Sequence, residues 1–105
     1  MYCNAAYVKC DADIVQGKYP NGRLALALVD PHTGEPLAKI TVNVPECPLQ
    51  EDEIIVKSYS ENLGMLEWML NSGLAEDTGK PVIVGREIAE IVRITDKLKA
   101  MMAKR

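Results

Sequence analysis

Four residues of this 105-residue chain are suited by type to metal or covalent chemistry: Cys3, Cys10, His32 and Cys47. Three thiols and an imidazole make an acceptable zinc set. Their spacing argues against one, because zinc knuckles place paired cysteines about two to four residues apart and no such pair occurs. A Cys–His nucleophile would need His32 beside a thiol and a third group to orient it. His32 instead follows a proline in a turn, where polar side chains are ordinarily solvated. Gly73 to Pro81 superficially resembles a phosphate loop, but five residues separate its glycines and proline follows the lysine where a hydroxyl should hold magnesium. Asp11 and Asp13 share the outer face of a strand, and Asp30 and Glu35 flank a turn, so no general acid–base pair is defined. We assign no catalytic residue, no metal and no cofactor, and the reading leans away from an enzyme.

The elements that position these residues are arranged around one stretch, Ile54 through Leu74. It reads as a strand that turns a corner into a helix and stops on a glycine. Two caps suit the corner: Ser58 with Glu61 as a capping box, or Ser60 as N-cap with Glu61 the first helical residue. Leu63, Leu66 and Leu70 fall on one helical face beside Met65 and Met69, a stripe that needs burial. Gly73 suits the left-handed position after a helix, with Leu74 folding back on the last turn. Gly64 is costly inside a helix. It implies close packing against a strand, or a backbone surface left open for a partner.

Ahead of the corner, residues 6–15 alternate, with Ala6, Val8, Cys10, Ala12 and Ile14 on the core side of one strand. Gly17 to Gly22 is a turn. Arg23 to Asp30 is apolar on both faces, which places it centrally in a sheet. The Asp30–Glu35 turn joins it to a third strand, Leu37 to Val44, as an antiparallel hairpin. Pro45 to Glu53 is a loop whose four acids read as a solvated surface. After the helix, residues 75–81 are polar and turn-like. Val82–Val84 and Ile88–Ile94 form one bulged strand or two short ones. A C-terminal helix follows, capped by Thr95, with Asp96 at its start, Lys104 and Arg105 at its end, and Leu98, Met101 and Met102 on its apolar face. The whole is α+β: an antiparallel sheet of about five strands with one main helix and a short C-terminal helix on one face.

Composition bounds the rest. At 48% apolar residues the chain can fill the core of a single domain, residues 1–105, unaided. No apolar run approaches the ~20 residues of a membrane span, and no secretory leader is visible at the N-terminus. The expectation is a cytoplasmic protein with free thiols. A net charge of −3 argues against nucleic-acid backbone binding, and only Lys18, Tyr19 and Arg23 mix basic and aromatic character. The methionines on the helices suit a core. A face shared in a homodimer, or offered to a partner, is the lesser reading.

Arg23-Leu-Ala-Leu-Ala-Leu, Gly34-Glu-Pro, Thr41-Val-Asn-Val-Pro45 and Lys57-Ser-Tyr-Ser-Glu-Asn-Leu-Gly resemble a family of small uncharacterised proteins of gut-type bacteria and their phages and conjugative elements. The resemblance spans roughly residues 20–95. It implies a mobile-element setting and no established activity. Its polar signature is Asn43, Lys57, Tyr59, Ser60, Glu61 and Asn62. These residues either build the strand-to-helix corner or line a shallow site beside it. The leading expectation is an accessory protein that acts by binding another protein, an inhibitor of a host defence system being one form. The alternative is a small-molecule or nucleic-acid binder at the corner.

Overall fold

Leu26 and Leu28, neighbours on one face of the 23–30 strand, lie fully inside the main core. The computed structural model describes residues 1–103. The chain runs β1 (Tyr2–Asn4), β2 (Lys9–Asp11), β3 (Asp13–Lys18), β4 (Leu24–Val29), β5 (Pro36–Lys39), β6 (Glu53–Val56), α1 (Met65–Asn71), β7 (Ala75–Val84), β8 (Glu87–Ile94) and α2 (Asp96–Ala103). It is a small α+β domain with all strand pairs antiparallel. The strands do not form the expected single sheet of about five. They form three small sheets, ordered β1-β2, β3-β4-β5 and β6-β8-β7.

Two local causes divide the sheet. The alternating 6–15 run is broken by a bend at residues 5–7, and Ala6 is exposed. The N-terminal residues supply an unanticipated strand, so β1 and β2 make a separate hairpin with Cys3 opposite Cys10. From Val8 onward the expected face does turn inward, and Ala12 and Ile14 are buried. The second cause is Thr41. The expected third strand stops at Lys39 instead of Val44. Ile40 N–H still donates to the Leu26 carbonyl at 2.9 Å, but the Thr41 hydroxyl accepts the Leu26 N–H at 3.1 Å. Beyond that point the backbone pairs with β6 instead: Thr41 bridges Val56, Val42 N–H donates to Ile55, and Lys57 N–H donates to Ile40. Residues 40–42 thereby hand the chain from the second sheet to the third.

The β4–β5 hairpin forms as the turn chemistry requires. The Asp30 carboxylate accepts from the backbone of His32 at 2.7 Å and of Thr33 at 3.2 Å, which holds its pKa below the usual range. Residues 75–81 are a strand and not a turn. Their polar composition suits β7 because it is an edge strand, bulged between Asp77 and Lys80, where the Asp77 carboxylate accepts the Gly79 N–H. The Val82–Val84 and Ile88–Ile94 runs are two strands joined at Gly85-Arg86.

Alternation along the third sheet fills two cores. Ile54, Val56, Val92 and Ile94 join Ile14, Leu26, Leu28, Trp68, Met69 and Leu98. Ile55, Val82, Ala89 and Ile91 face a smaller cluster covered by Val42, Val44, Leu49 and Tyr59. This is why residues 54–56 of β6 are all buried, whichever face they point to. In α2, Thr95 caps as expected, accepting the Leu98 N–H, and Leu98 is fully buried. Lys104 and Arg105 lie outside the described residues. No described helix is long and apolar enough to cross a membrane.

The acidic loop departs from expectation at its last residue. Glu46 and Glu51 are exposed, but Glu53 is only 5% exposed. Its carboxylate accepts from Gln50 N–H and from Lys80 Nζ, both at 2.8 Å, and these bonds hold its pKa below the usual range. A carboxylate with a lowered folded pKa stabilises the fold above its unfolded pKa, and that contribution disappears as pH falls through the folded value. Glu53→Gln is therefore expected to be less stable than wild type at neutral pH, and to lose less stability on acidification. Urea midpoints measured from neutral pH down to about pH 3 would show the two curves converging. Parallel curves would remove Glu53 from the acid response.

Candidate functional site

The corner is built from an extended strand end, a 3-10 turn and a glycine. Tyr59 is extended at φ −139°, ψ 169°, and Ser60–Asn62 form the turn. Gly64 follows at φ +86° and α1 starts at Met65. Neither expected cap occurs. Ser58 Oγ accepts the Leu66 N–H at 2.9 Å, so it satisfies a donor of α1 from eight residues away. Glu61 turns instead to Lys57. Ser60 is not a cap: at φ +54° it is the only non-glycine with positive φ among the described residues, a strained setting for a residue with a Cβ.

The late helix start also shifts the buried stripe. Leu63 falls before the helix and is 52% exposed. Met65, Trp68 and Met69 are the buried residues, with Leu66 and Leu70 half-buried beside them. Trp68 Nε1 donates to the Tyr2 carbonyl at 3.0 Å and so ties α1 to the first hairpin. The helix ends as its sequence implies. Gly73 N–H donates to Leu70 and Leu74 N–H to Met69, the paired bonds of a Schellman motif, with Gly73 at φ +76° and Leu74 fully buried.

The six signature residues separate by role. Asn62 is 1% exposed, and its Nδ2 donates to the carbonyls of Lys39 and Lys57, which fastens the corner to the end of β5. Its Oδ1 has no partner among the described residues. Ser60 is exposed and does not line the groove beside the corner. Asn43, Lys57, Tyr59 and Glu61 do come together, along one end of an open groove of about 820 Å³. The Lys57 ammonium pairs with Glu61 and sits 5.4 Å from the centre of the Tyr59 ring. The Lys57 hydrogen bond lowers the Glu61 pKa. Both charges are partly solvated, so the pair fixes orientation more than it adds stability.

The rest of the groove lies outside the signature. Its floor is the outer face of the second sheet, where Val15 and Ala27 stand opposite one another beside Val29; Leu37 and Val42, which also pack on the two cores, complete the lining. A hollow of about 350 Å³ continues it past Gly17 and Ala25. β4 is central in its sheet, as expected, but among the described residues no layer covers its second apolar face: Ala25, Ala27 and Val29 are half-buried. The signal for this floor was the apolar character of both faces of residues 23–30. A strand buried on both sides and a strand with one face awaiting a partner read alike in sequence.

The residues considered for metal and covalent chemistry are dispersed. His32 is exposed in the Asp30 turn, Cys47 lies in the loop that precedes β6, and Cys3 and Cys10 face each other on the first hairpin. Among the described residues no three of His, Cys, Asp or Glu group as a metal site. Residues 73–81 pass from the end of α1 into an edge strand. Searches against family models, curated proteins and solved structures return no match to this chain.

Proposed function

We propose that this protein is a non-catalytic binding module that takes an apolar segment of another protein along the outer face of β3–β5, with the Lys57–Tyr59–Glu61 corner closing one end. The observation that carries this reading is the uncovered apolar face of β4 and its neighbours. A sheet face of this composition is stable against a second layer, and a contiguous exposed apolar surface rimmed by polar residues marks an interaction site. The corner offers few free directional groups for a small polar ligand: Asn62 is turned inward, and Lys57 and Glu61 satisfy each other. That balance favours a protein over a metabolite. The net charge of −3 weighs against a nucleic acid. Lys39, exposed at the groove edge, suits a segment with a carboxylate beside its apolar residues. In the mobile-element setting that the family resemblance implies, an inhibitor of a host defence enzyme is one form of the same reading.

The test is capture from host lysate with four baits: wild type, Val15→Lys, Tyr59→Ala, and Ile83→Lys as an exposed control outside the groove lining. Val15 is half-buried on an edge strand, so lysine there charges the groove without opening the core. A partner held by wild type and Ile83→Lys is expected to weaken at least about tenfold with the two groove variants. Equal retention by folded Val15→Lys and Tyr59→Ala would overturn the assignment of this surface.

A further inference from the structure

We propose that Cys3 and Cys10 are a reversible dithiol–disulfide couple, the site at which this protein responds to thiol oxidation. The two residues are direct partners across the β1–β2 ladder. Opposite residues of an antiparallel pair project from the same face, so both thiols lie on one side of the hairpin. The ladder fixes their pair type. Met1 and Ala12 exchange hydrogen bonds in both directions, and Ala5 N–H donates to the Val8 carbonyl. These pairs lie two positions to either side of Cys3–Cys10, so alternation makes Cys3–Cys10 a hydrogen-bonded pair. Such pairs hold their Cα atoms about 5.5 Å apart, inside the roughly 4.4–6.8 Å range that disulfides span. The Cβ atoms of such pairs, about 5.5 Å apart, lie beyond the roughly 3.5–4.5 Å that a disulfide takes, so closing the bond draws the two strands together locally. Side chains at these positions are less close than at the intervening ones, so the bond forms off its easiest geometry and is the more readily reduced. That suits a reversible couple better than a permanent staple.

The two thiols are not equivalent. Cys3 is fully buried in the main core, and burial raises its pKa. Cys10 is half-buried and meets solvent first. With a low-molecular-weight disulfide as oxidant, the Cys10 thiolate attacks one sulfur of that disulfide. The S–S bond breaks, the released thiolate takes up a proton, and a mixed disulfide remains on Cys10. Cys3 then gives up its proton and attacks Cys10 Sγ, expelling the second small thiol. Two protein thiols are oxidised, one small disulfide is reduced to two thiols, and no other reagent is consumed. The new bond would close the hairpin that braces the corner from behind, where Tyr2 accepts from Trp68 and Ala6 N–H donates to the Leu63 carbonyl.

Trypsin cuts after Lys9 and Lys18, which places Cys3 and Cys10 on separate peptides, 1–9 and 10–18. The folded protein is equilibrated in buffers of stepped oxidised-to-reduced glutathione ratio, its remaining thiols are blocked, and it is digested without reduction. The expected product is the linked 1–9/10–18 peptide, lighter than the two free peptides by two hydrogens. It should rise with the ratio in wild type and in Cys47→Ser, disappear on reduction, and be absent from Cys10→Ser. Trp68 fluorescence checks that each sample remains folded. Glutathione adducts or Cys47-linked dimers without the 1–9/10–18 link would overturn the proposal. So would a link that forms only in urea.

Discussion

Gly64→Ala is expected to destabilise the protein by about 2–4 kcal/mol, more than any other glycine replacement among the described residues. Two costs combine at this position. The backbone is left-handed at φ +86°, where a Cβ crowds the following carbonyl. That Cβ would also stand 3.2 Å from the backbone nitrogen of Ala6 and 3.5 Å from the Cα of Ala5. These are main-chain atoms of the first hairpin, and they cannot step aside as a side-chain end can. Gly73→Ala is the internal control. Gly73 has a similar φ of +76°, but its added Cβ meets only the Lys97 side chain, at 3.8 Å. Its cost should be the conformational part alone, about 1–2 kcal/mol. Urea unfolding of both variants separates the terms. If Gly64→Ala costs no more than Gly73→Ala, the first hairpin is free to move off the corner, and its hydrogen bonds to Leu63 and Trp68 are not holding it.

Gly64 also shows where sequence reading succeeds and where it stops. Its mismatch with a helical run was visible, and so was the inference that something packs closely on it. The glycine's place at the helix entrance was not visible, because the leucines at 63, 66 and 70 continue the apolar period through it. Periodicity reports the spacing of residues and not where the hydrogen-bond ladder begins. The helix end was legible for the opposite reason. Gly73 and Leu74 specify a local motif whose bonds close within six residues. The β4–β5 hairpin was legible because Asp30 organises its own turn. The partition into three sheets was not. It depends on a bend at residues 5–7 that splits off the first hairpin, and on one buried hydroxyl, that of Thr41, taking a donor that a backbone carbonyl would otherwise take.

The same distinction runs through the candidate site. Polar residues around the corner stood out by type, and four of six do line a concave surface. The apolar floor did not stand out, because Val15, Ala27 and Val29 look like ordinary core residues in a strand. What exposes them is that no layer among the described residues covers them, a property of the fold and not of the strand. Position along the chain therefore identified the rim of the groove, and tertiary structure alone identifies its floor. The consequence is energetic as well as descriptive: rim charges that pair with each other contribute orientation, and in the proposed complex the apolar floor would supply most of the binding free energy.

Asn62→Asp is expected to cost at least about 3 kcal/mol at neutral pH and to become less harmful in acid. The substitution is nearly isosteric, so packing is unchanged and hydrogen-bond polarity carries the effect. Asn62 Nδ2 donates to two carbonyls, those of Lys39 and Lys57, from a position that is 1% exposed. A carboxylate there has no proton to offer either carbonyl and would bury a charge against two oxygen dipoles. The neutral acid is better tolerated, because it keeps one donor. The folded pKa of the new group must then lie above its unfolded value of about 3.9. Linkage sets the sign: the deficit relative to wild type is smallest below about pH 4, grows as pH rises toward the folded pKa, and is constant above it. Urea midpoints for both proteins across that range would show the difference widening with pH. A deficit independent of pH, or none, would mean that Asn62 has water or a ligand within reach. It would then belong with Asn43, Lys57, Tyr59 and Glu61 in the proposed binding surface. The expected slope instead places Asn62 as the clamp that holds the corner against β5, which keeps the groove's two walls in register.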